Sequence, residues 1–466
     1  MGLKVKEAGV FVDVGSGGGT TPVPVDDWVR PIAWPTMPTV LASEQKIVGI
    51  YAVWPGDGTG TGGNFFAFNA QGAYTINFGD GTTTNFASNT QANYEFDFNN
   101  AALAGTDKPV TFTAATNTIN FTGHGFPAGA ITQFYNIVST TGVVKNRRYY
   151  VVNPSANSFQ VSNTLGGSPI ALTNDGSATL LPYKVAVVTI TPQAGQNLTV
   201  VNFQAKNPTT NLQTYTTGWL ELAISVPNVT GSSFALGGTV VGHRLAQRVN
   251  VIACGALSTM ANMYNGFIAL ASVAPFPSSI SGVTTMANKY QNCVALKRFP
   301  PYTGSAASLT TTALKYSGCQ SGEDFPTLPV STAALLNTSS MYLNCQSARE
   351  LPDLPTTAQI TNLSSMYSGC VLLQVLPVHN MSGVSSSSNA NNFVDGCVSL
   401  GRAAISGMRF SFNISSRKLS AVALNEVFTG LPTVTGQTIT VTGNYGINQA
   451  GYSASIATAK GWTVTA

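Results

Sequence analysis

The chain contains few charged residues and almost no histidine. Only 9% of its 466 residues are Asp, Glu, Lys or Arg, and three are His. The net charge of +4 is too small for this length to indicate a nucleic-acid partner. Intrinsic disorder is excluded as well, because it requires few apolar residues, whereas 44% of this chain is hydrophobic.

Targeting and membrane signals are also missing. No run approaches 18 apolar residues, so we expect no membrane insertion. The first ten residues lack the apolar segment of a signal peptide, and Lys6 stands where N-myristoylation requires Ser or Thr. We therefore expect that the protein is not exported through the Sec pathway.

Catalytic and metal-binding motifs are absent too. The sequence has no Walker loop, no His-Glu-x-x-His, no Gly-x-Ser-x-Gly and no Cys-x-x-Cys pair. His124 has no neighbour in the sequence that could orient it as a base, and Asp57 and Asp80 are isolated turn residues without the oxygen cluster that calcium needs. Glu323 and Asp324 would form a catalytic carboxylate pair only by accident of folding. We expect no enzyme activity, no cofactor and no metal.

The second half of the chain carries a repeat with the frame Tyr-x-x-Cys-x-x-Leu. The cysteine position of this frame recurs at spacings of 26, 26, 26, 25 and 27 residues. From an early, divergent copy to the last one, it holds Phe267, Cys293, Cys319, Cys345, Cys370 and Cys397. A fixed period of this size predicts a solenoid, in which each unit buries its apolar side against its neighbours. We expect these residues to form a column in the repeat core, with the cysteines as free thiols.

Each repeat also predicts local structure. Residues 364–370 indicate a short helix, and residues 373–376 indicate a strand that Pro377 ends. Lys289 and Lys315 replace the methionine that precedes the tyrosine in other copies, and residues 321–324 lack the usual leucine. These departures predict that the two repeats expose a charged or irregular corner. The tyrosines themselves form either a display column or, more simply, part of the packed core: Tyr264, Tyr290, Tyr316, Tyr342 and Tyr367.

The first half of the chain reads as short strands separated by turns. Residues 1–14 predict a single strand, either one that docks to the sheet of a partner or an edge strand of the following domain. The Gly- and Pro-rich residues 15–27 predict a linker. Apolar alternation at 219–226 predicts a half-buried strand. Further strands are predicted at 46–54, 65–68, 74–78, 94–98, 110–113, 118–121, 131–137, 149–152, 158–161, 178–181, 183–192 and 198–203.

Two motifs in this half resemble known modules. Gly-Asp-Gly-Thr at 79–82, directly after an aromatic residue, resembles PKD-type Ig-like domains. This resemblance implies an Ig-like β-sandwich made of residues 28–106 and 183–245. His-Gly-Phe at 124–126 with Tyr-Tyr-Val at 149–151 resembles a small β-module of phage tail and fibre proteins, which implies an inserted β-module at 107–182.

The repeat itself resembles the BspA-like leucine-rich repeats of bacterial surface proteins and phage proteins. The shared core is Met/Phe-x-x-x-Cys-x-x-Leu. The resemblance implies a leucine-rich-repeat solenoid with short helices over residues 246–400, closed by a C-terminal capping segment at 401–466. The expected fold class is therefore mainly β.

These features together predict a structural protein of a tailed-bacteriophage virion, exposed on the particle surface. A tail fibre or receptor-binding adhesin fits best, attached to other virion proteins through residues 1–14 and presenting its solenoid to a glycan or protein of the host. A head decoration or other scaffold component remains open, as does a bacterial cell-surface adhesin. We expect a homo-oligomer, with a trimer as one option, and assign no ligand-contact residues.

Overall fold

The computed structural model shows a mainly β protein with 30% strand and 6% helix. No helix within the described residues has the length and apolar character needed to cross a membrane. The structure describes residues 4–7, 10–13, 28–31, 34–54, 64–105, 108–126, 128–140, 142–145, 147, 149–181, 183–206, 218–239, 242–302, 304–329, 334–354 and 358–466.

The N-terminal segment forms a hairpin. Strands β1 (Lys4–Glu7) and β2 (Val10–Asp13) pair antiparallel, with Lys4 opposite Asp13. The prediction of a single strand over 1–14 is therefore wrong, because the apolar alternation is the same in both arms and does not mark the reversal between them. The predicted linker at 15–27 lies outside the described residues.

Five strands come next in the chain. The third and fourth of them, Tyr74–Asn77 and Thr83–Phe86, are joined by a turn in which the Phe78 N–H donates to the Thr82 carbonyl at 3.0 Å. Gly79 and Gly81 in this turn have φ of 76° and 96°, a region that glycine enters without steric cost. The strands are β3 (Lys46–Val53), β4 (Phe65–Gln71), β5 (Tyr74–Asn77), β6 (Thr83–Phe86) and β7 (Ala92–Glu95).

The following six strands close into an antiparallel barrel with the order β10-β11-β12-β9-β8-β13. Its own hydrophobic core includes Phe112, Ile119, Phe134, Phe159 and Leu180. A 3-10 turn joins β8 to β9 at Ala114–Thr116. The strands are β8 (Lys108–Thr113), β9 (Thr118–Asn120), β10 (Ile131–Val138), β11 (Tyr149–Val152), β12 (Ser158–Ser162) and β13 (Gly176–Leu181).

After the barrel the chain returns to the earlier strands. A seven-stranded sheet has the order β19-β18-β16-β3-β14-β5-β6, and a four-stranded sheet has the order β17-β15-β4-β7. In chain order the barrel lies between β7 of the smaller sheet and β14 of the larger sheet, so it is an insertion between the two sheets. The new strands are β14 (Lys184–Pro192), β15 (Val200–Asn202), β16 (Trp219–Val226), β17 (Phe234–Ala235), β18 (Arg248–Cys254) and β19 (Ser272–Val273).

Aromatic side chains from both sheets pack in one core. The rings of Tyr51 and Trp219 from the larger sheet each lie 5.6 Å from the ring of Phe66 in the smaller sheet and 5.3 Å from each other, in edge-to-face contacts. Gly49 makes room for this contact, because a Cβ there would lie 2.5 Å from the Trp219 ring. Aromatic pairs of this geometry add to the free energy gained by burial.

The outer face of the larger sheet is covered by the segment before β3. Trp34 packs there against Ile50 and Leu220. Arg30 Nε donates to the buried Glu221 carboxylate at 2.7 Å. All eight residues of β16 are consequently buried, so the prediction of a half-buried strand at 219–226 is wrong.

The larger sheet continues directly into a β-solenoid of about nine turns. Strands β16, β18 and β19 pair parallel in succession. A column of single-residue parallel bridges then links successive turns through Thr259, Thr285, Thr311, Asn337 and Asn362. One hydrophobic cluster runs from the packed sheets through the last turn, so the solenoid and the sheets share a core.

Residues 364–369 form consecutive turns and not an α-helix, so the prediction of a helix at 364–370 is wrong. Ser365 and Gly369 have left-handed φ of 52° and 75°, which an α-helix of L-residues does not accommodate. The N–H groups of Ser365, Tyr367 and Gly369 donate to the next turn of the solenoid, whereas the residues between them donate three residues back. Half of the backbone donors therefore connect units instead of closing a helix.

The two left-handed positions recur in every copy. Asn and Gly tolerate this conformation best, which accounts for most of the residues found there. The first position holds Asn262, Asn288, Leu314, Ser340, Ser365 and Asn392. The second position holds Gly266, Asn292, Gly318, Asn344, Gly369 and Gly396.

The last 66 residues extend the solenoid, since their strands pair parallel like the earlier turns. The strand predicted to end at Pro377 continues through it, because a register shift between Leu376 and His379 accommodates the proline. Ser420 Oγ caps α1 by accepting from the Ala423 N–H at 3.2 Å. The elements are β20 (Val375–Asn380), a 3-10 turn (Ser387–Ala390), β21 (Arg402–Ser406), β22 (Phe412–Asn413), α1 (Ala421–Gly430), β23 (Gln437–Thr440), a 3-10 turn (Tyr445–Asn448), α2 (Ser455–Thr458) and β24 (Trp462–Thr465).

Leu314 is the one large aliphatic residue in the first left-handed position, with φ of 57°. Leu314→Asn should raise the free energy of unfolding by about 0.5–1 kcal/mol, because asparagine adopts this conformation at lower steric cost. Urea denaturation of the full chain measures the change. Asn288→Leu, in the same position one turn earlier, should lower the free energy of unfolding by a similar amount. Two neutral substitutions would show that the position imposes no left-handed conformation.

Candidate functional site

The six residues at the central position of the repeat lie inside the solenoid. Each has 0% exposure, and every cysteine of the chain is a free thiol. The residues are Phe267, Cys293, Cys319, Cys345, Cys370 and Cys397. They line the interior and present nothing to a ligand.

Each of these thiols makes the same hydrogen bond. The Sγ–H donates to the backbone carbonyl oxygen of the tyrosine one turn earlier, at 3.0–3.1 Å. The pairs are Cys293 with Tyr264, Cys319 with Tyr290, Cys345 with Tyr316, Cys370 with Tyr342, and Cys397 with Tyr367. Cysteine therefore serves here both as a small apolar side chain and as a weak donor between turns.

Burial makes the thiols unreactive. It raises the pKa of Cys397 to about 11 and that of Cys345 well above its usual value. Since the thiolate is the nucleophile and the metal ligand, these groups stay protonated at neutral pH. Within the described residues, no group of three or more His, Cys, Asp or Glu is placed to hold a metal ion.

The repeat tyrosines form a continuous buried stack. Successive rings have centroids 5.1–5.8 Å apart and planes inclined by 4–14°. None is more than 2% exposed. The sequence allows these tyrosines to form either a display column or part of the packed core. The structure places them in the core.

Lys289 and Lys315 also lie in the core, with 1% and 0% exposure, so the prediction that these two lysines are exposed at a corner of their repeats is wrong. Their Nζ atoms lie 4.7 and 4.3 Å from the centroid of the Tyr302 ring. They also lie over Tyr290 and Tyr316, at 5.0 and 4.7 Å. Tyr302 belongs to a longer loop outside the repeat frame, and this half-buried ring covers the two amines.

The two amines are poorly compensated. Lys289 Nζ donates to the Met260 sulfur at 3.4 Å, whereas Lys315 Nζ has no hydrogen-bond partner. In the part of the chain that the structure describes, neither has an ion-pair partner. Burial lowers the pKa of Lys289 to about 7, and burial together with the neighbouring Lys289 lowers the pKa of Lys315 well below its usual value.

The isolated polar residues that sequence singles out have structural contacts. Asp80 accepts from the Thr82 N–H at 3.0 Å and from the Tyr94 hydroxyl at 2.6 Å. His124 Nδ1 accepts from the Phe126 N–H at 2.9 Å. Glu323 and Asp324 are exposed, and Asp324 forms a single-residue parallel bridge with Arg298. Asp57 lies outside the described residues.

The outer surface of the solenoid is polar and regular. Thr284, Thr310 and Thr361, which we call the threonine row, occur at corresponding positions of different turns. Their hydroxyls donate to the carbonyls of Ser258, Thr284 and Leu336 in the preceding turns, at 3.0–3.2 Å. This face is uncharged and offers ordered hydroxyl groups, which suits many weak contacts more than one tight pocket.

The sequence patterns predict no structural or binding role for two tyrosines outside the repeat frame. Tyr302 covers the buried amines, and Tyr445 is 69% exposed on a turn near the end of the solenoid. Neither tyrosine recurs at the repeat period, so the sequence pattern gives no signal for its role.

No protein-family model, curated protein or solved structure matches the chain.

The double variant Lys289→Met, Lys315→Met should be more stable than the wild type by about 1–4 kcal/mol at pH 7, because it removes two poorly compensated buried amines. Methionine occupies the same position in other turns. The unfolded chain keeps these protons up to a pH near 10.4, whereas folded Lys289 loses its proton above about pH 7. The wild type therefore gains stability from this residue as the pH rises from 7 to 10, and the gap to the variant should narrow.

Denaturation of both proteins at several pH values between 7 and 10 measures that gap. Because the thiols and tyrosines are the same in both proteins, their contributions to the pH dependence of stability cancel in the difference. The exposed Lys297→Met serves as the control and should change stability by less than about 0.5 kcal/mol. A destabilised double variant whose gap does not depend on pH would contradict the buried position of the amines.

Proposed function

We propose that the protein is a structural component of a tailed-bacteriophage virion, and most specifically a tail fibre or receptor-binding adhesin. The observation that carries the proposal is the nine-turn solenoid with a continuous apolar interior and a regular uncharged face. At the usual spacing of strands this array is about 40–45 Å long. A long surface of this kind suits adhesion by repeated weak contacts, and several copies on one particle would raise avidity.

The domain identities belong to the same proposal. The turn at 79–82 between β5 and β6, together with two sheets on one aromatic core, supports a PKD-type Ig-like domain. The 26-residue period and the paired left-handed positions support BspA-like repeats. The barrel between β7 and β14 supports the inserted phage-type module.

Attachment to the particle is assigned to the N-terminus. The hairpin of β1 and β2 pairs with no other strand of the described chain. Its outer edges therefore carry backbone groups that can extend the sheet of another virion protein. The opposite end of the solenoid, around β22 to β24, is then directed toward the host, and the assembled form is a homo-oligomer.

Immunogold electron microscopy with an antibody to this chain tests the location. Gold at the tail tip or along tail fibres is the expected result for virions produced from the encoding genome. Gold on the head would replace the fibre assignment with a decoration protein. Particles without gold, combined with the chain on the surface of bacterial cells, would support a cell-surface adhesin and overturn the proposal.

Deletion of residues 1–24 tests the attachment. We expect virions that lack this chain, whereas the purified deletion variant still binds host cells, because the hairpin docks to the particle and the solenoid contacts the host. The full-length chain carrying the Lys297→Met substitution, which is remote from the hairpin in sequence, is the matched control for incorporation. A deletion variant that still appears on virions would contradict attachment through this segment.

A further inference from the structure

A groove lies between two successive turns near the end of the solenoid. The groove is open to solvent and has a volume of about 610 Å³, and the residues that line it are Arg417, Gly443, Asn444, Tyr445, Ile447, Asn448 and Gln449. It is formed where the chain between β22 and α1 packs against the chain between β23 and α2. This groove is separate from the buried column and from the threonine row.

The walls of the groove are held in place by side-chain to backbone hydrogen bonds. Asn444 Nδ2 donates to the carbonyls of Ile414 and Val441 at 2.8 and 2.7 Å. Gln449 Oε1 accepts from the Ala421 N–H at the start of α1, at 2.9 Å. Because these contacts fix both turns, a ligand would meet a shape that needs little ordering on binding.

One aromatic ring stands on the rim of this groove. Tyr445 is 69% exposed, and it is the only aromatic residue more than a third exposed among those whose side chains the structure describes. The other aromatic side chains that the structure describes are buried or half-buried. Leaving one ring in water gives up the free energy of burial, so a ring in this position is typical of a binding surface.

The groove carries little net charge. Arg417 Nη2 donates to the Asp395 carboxylate at 3.3 Å, so its charge is matched by a partner. The remaining lining residues are uncharged, and the exposed Asn448 offers an amide that can donate and accept. This arrangement disfavours phosphate or carboxylate ligands, which need an unmatched cation.

We propose that the groove binds a neutral saccharide, with the C–H face of a hexopyranose ring on Tyr445 and its hydroxyl groups toward the exposed amide of Asn448. A pyranose has an apolar face and a rim of hydroxyls, and an exposed ring beside planar polar groups complements both. The inference deepens the proposed adhesin function and rests on it for its biological meaning. It places a defined ligand class at the end of the solenoid that is remote from the packed sheets.

Saturation-transfer NMR of the purified full chain with millimolar methyl glycosides of glucose, galactose, mannose and N-acetylglucosamine tests the site. We expect transfer to at least one glycoside, retained in Tyr445→Phe and weakened about tenfold or more in Tyr445→Ala. Val422→Ala, which truncates a 78% exposed side chain on α1, should bind like the wild type. All three variants should keep the wild-type melting temperature, because the altered side chains are mostly exposed.

The outcomes separate this inference from the proposed function. Absence of transfer to every glycoside, or equal transfer in Tyr445→Ala, overturns the saccharide site, while immunogold labelling of tails still supports the fibre assignment. Glycoside binding that depends on Tyr445 supports the site even if no virion carries the chain. If Tyr445→Ala loses binding to host cells although no glycoside binds the wild type, the groove recognises a different class of ligand and the saccharide inference is wrong.

Discussion

The alternation of backbone hydrogen bonds within each turn of the solenoid is the constraint on which the rest of the structure depends. Two residues per repeat adopt left-handed φ, so successive N–H groups point in different directions. One closes a local turn, and the next reaches the following unit. An α-helix would satisfy the same groups internally and leave the units connected by side chains alone. Because the backbone makes the connection, the side chains are selected mainly for how they stack.

That stacking explains the chemistry of the interior. The central position faces a tyrosine carbonyl of the preceding turn and needs a small apolar group with one weak donor, which cysteine provides. The tyrosine position repeats every 5.1–5.8 Å, close enough for rings to lie nearly parallel. Lys289 and Lys315 fit the methionine position because their unbranched stems fill a similar volume. Packing is thus kept in these two turns, while the desolvated amines lower their stability.

Much of this architecture could be predicted from the sequence, and the failures have identifiable causes. The spacing from Phe267 to Cys397 predicts a solenoid, because a fixed period leaves each unit only its neighbours to pack against. The prediction of a helix at 364–370 is wrong because Ser, Asn and Gly, which occupy left-handed positions here, are also the residues that begin and end helices, so the sequence looks the same in both cases. The prediction that Lys315 is exposed is wrong because Tyr302, which covers it, belongs to a loop that does not follow the repeat period. The groove at Tyr445 could not be predicted, since it requires two turns to meet.

Recognition by a repetitive protein requires a departure from the repeat. Identical turns present the same groups at every step, which supports avidity but gives no single place a specific geometry. Two aromatic residues outside the frame depart from it in opposite ways: Tyr302 folds over the core, and Tyr445 faces the solvent. The second lies far along the parallel ladder from β16, where the solenoid joins the packed sheets. Among the side chains that the structure describes, the most exposed ring therefore lies near the end of the array opposite the packed sheets, and this polarity fits the attachment role proposed above.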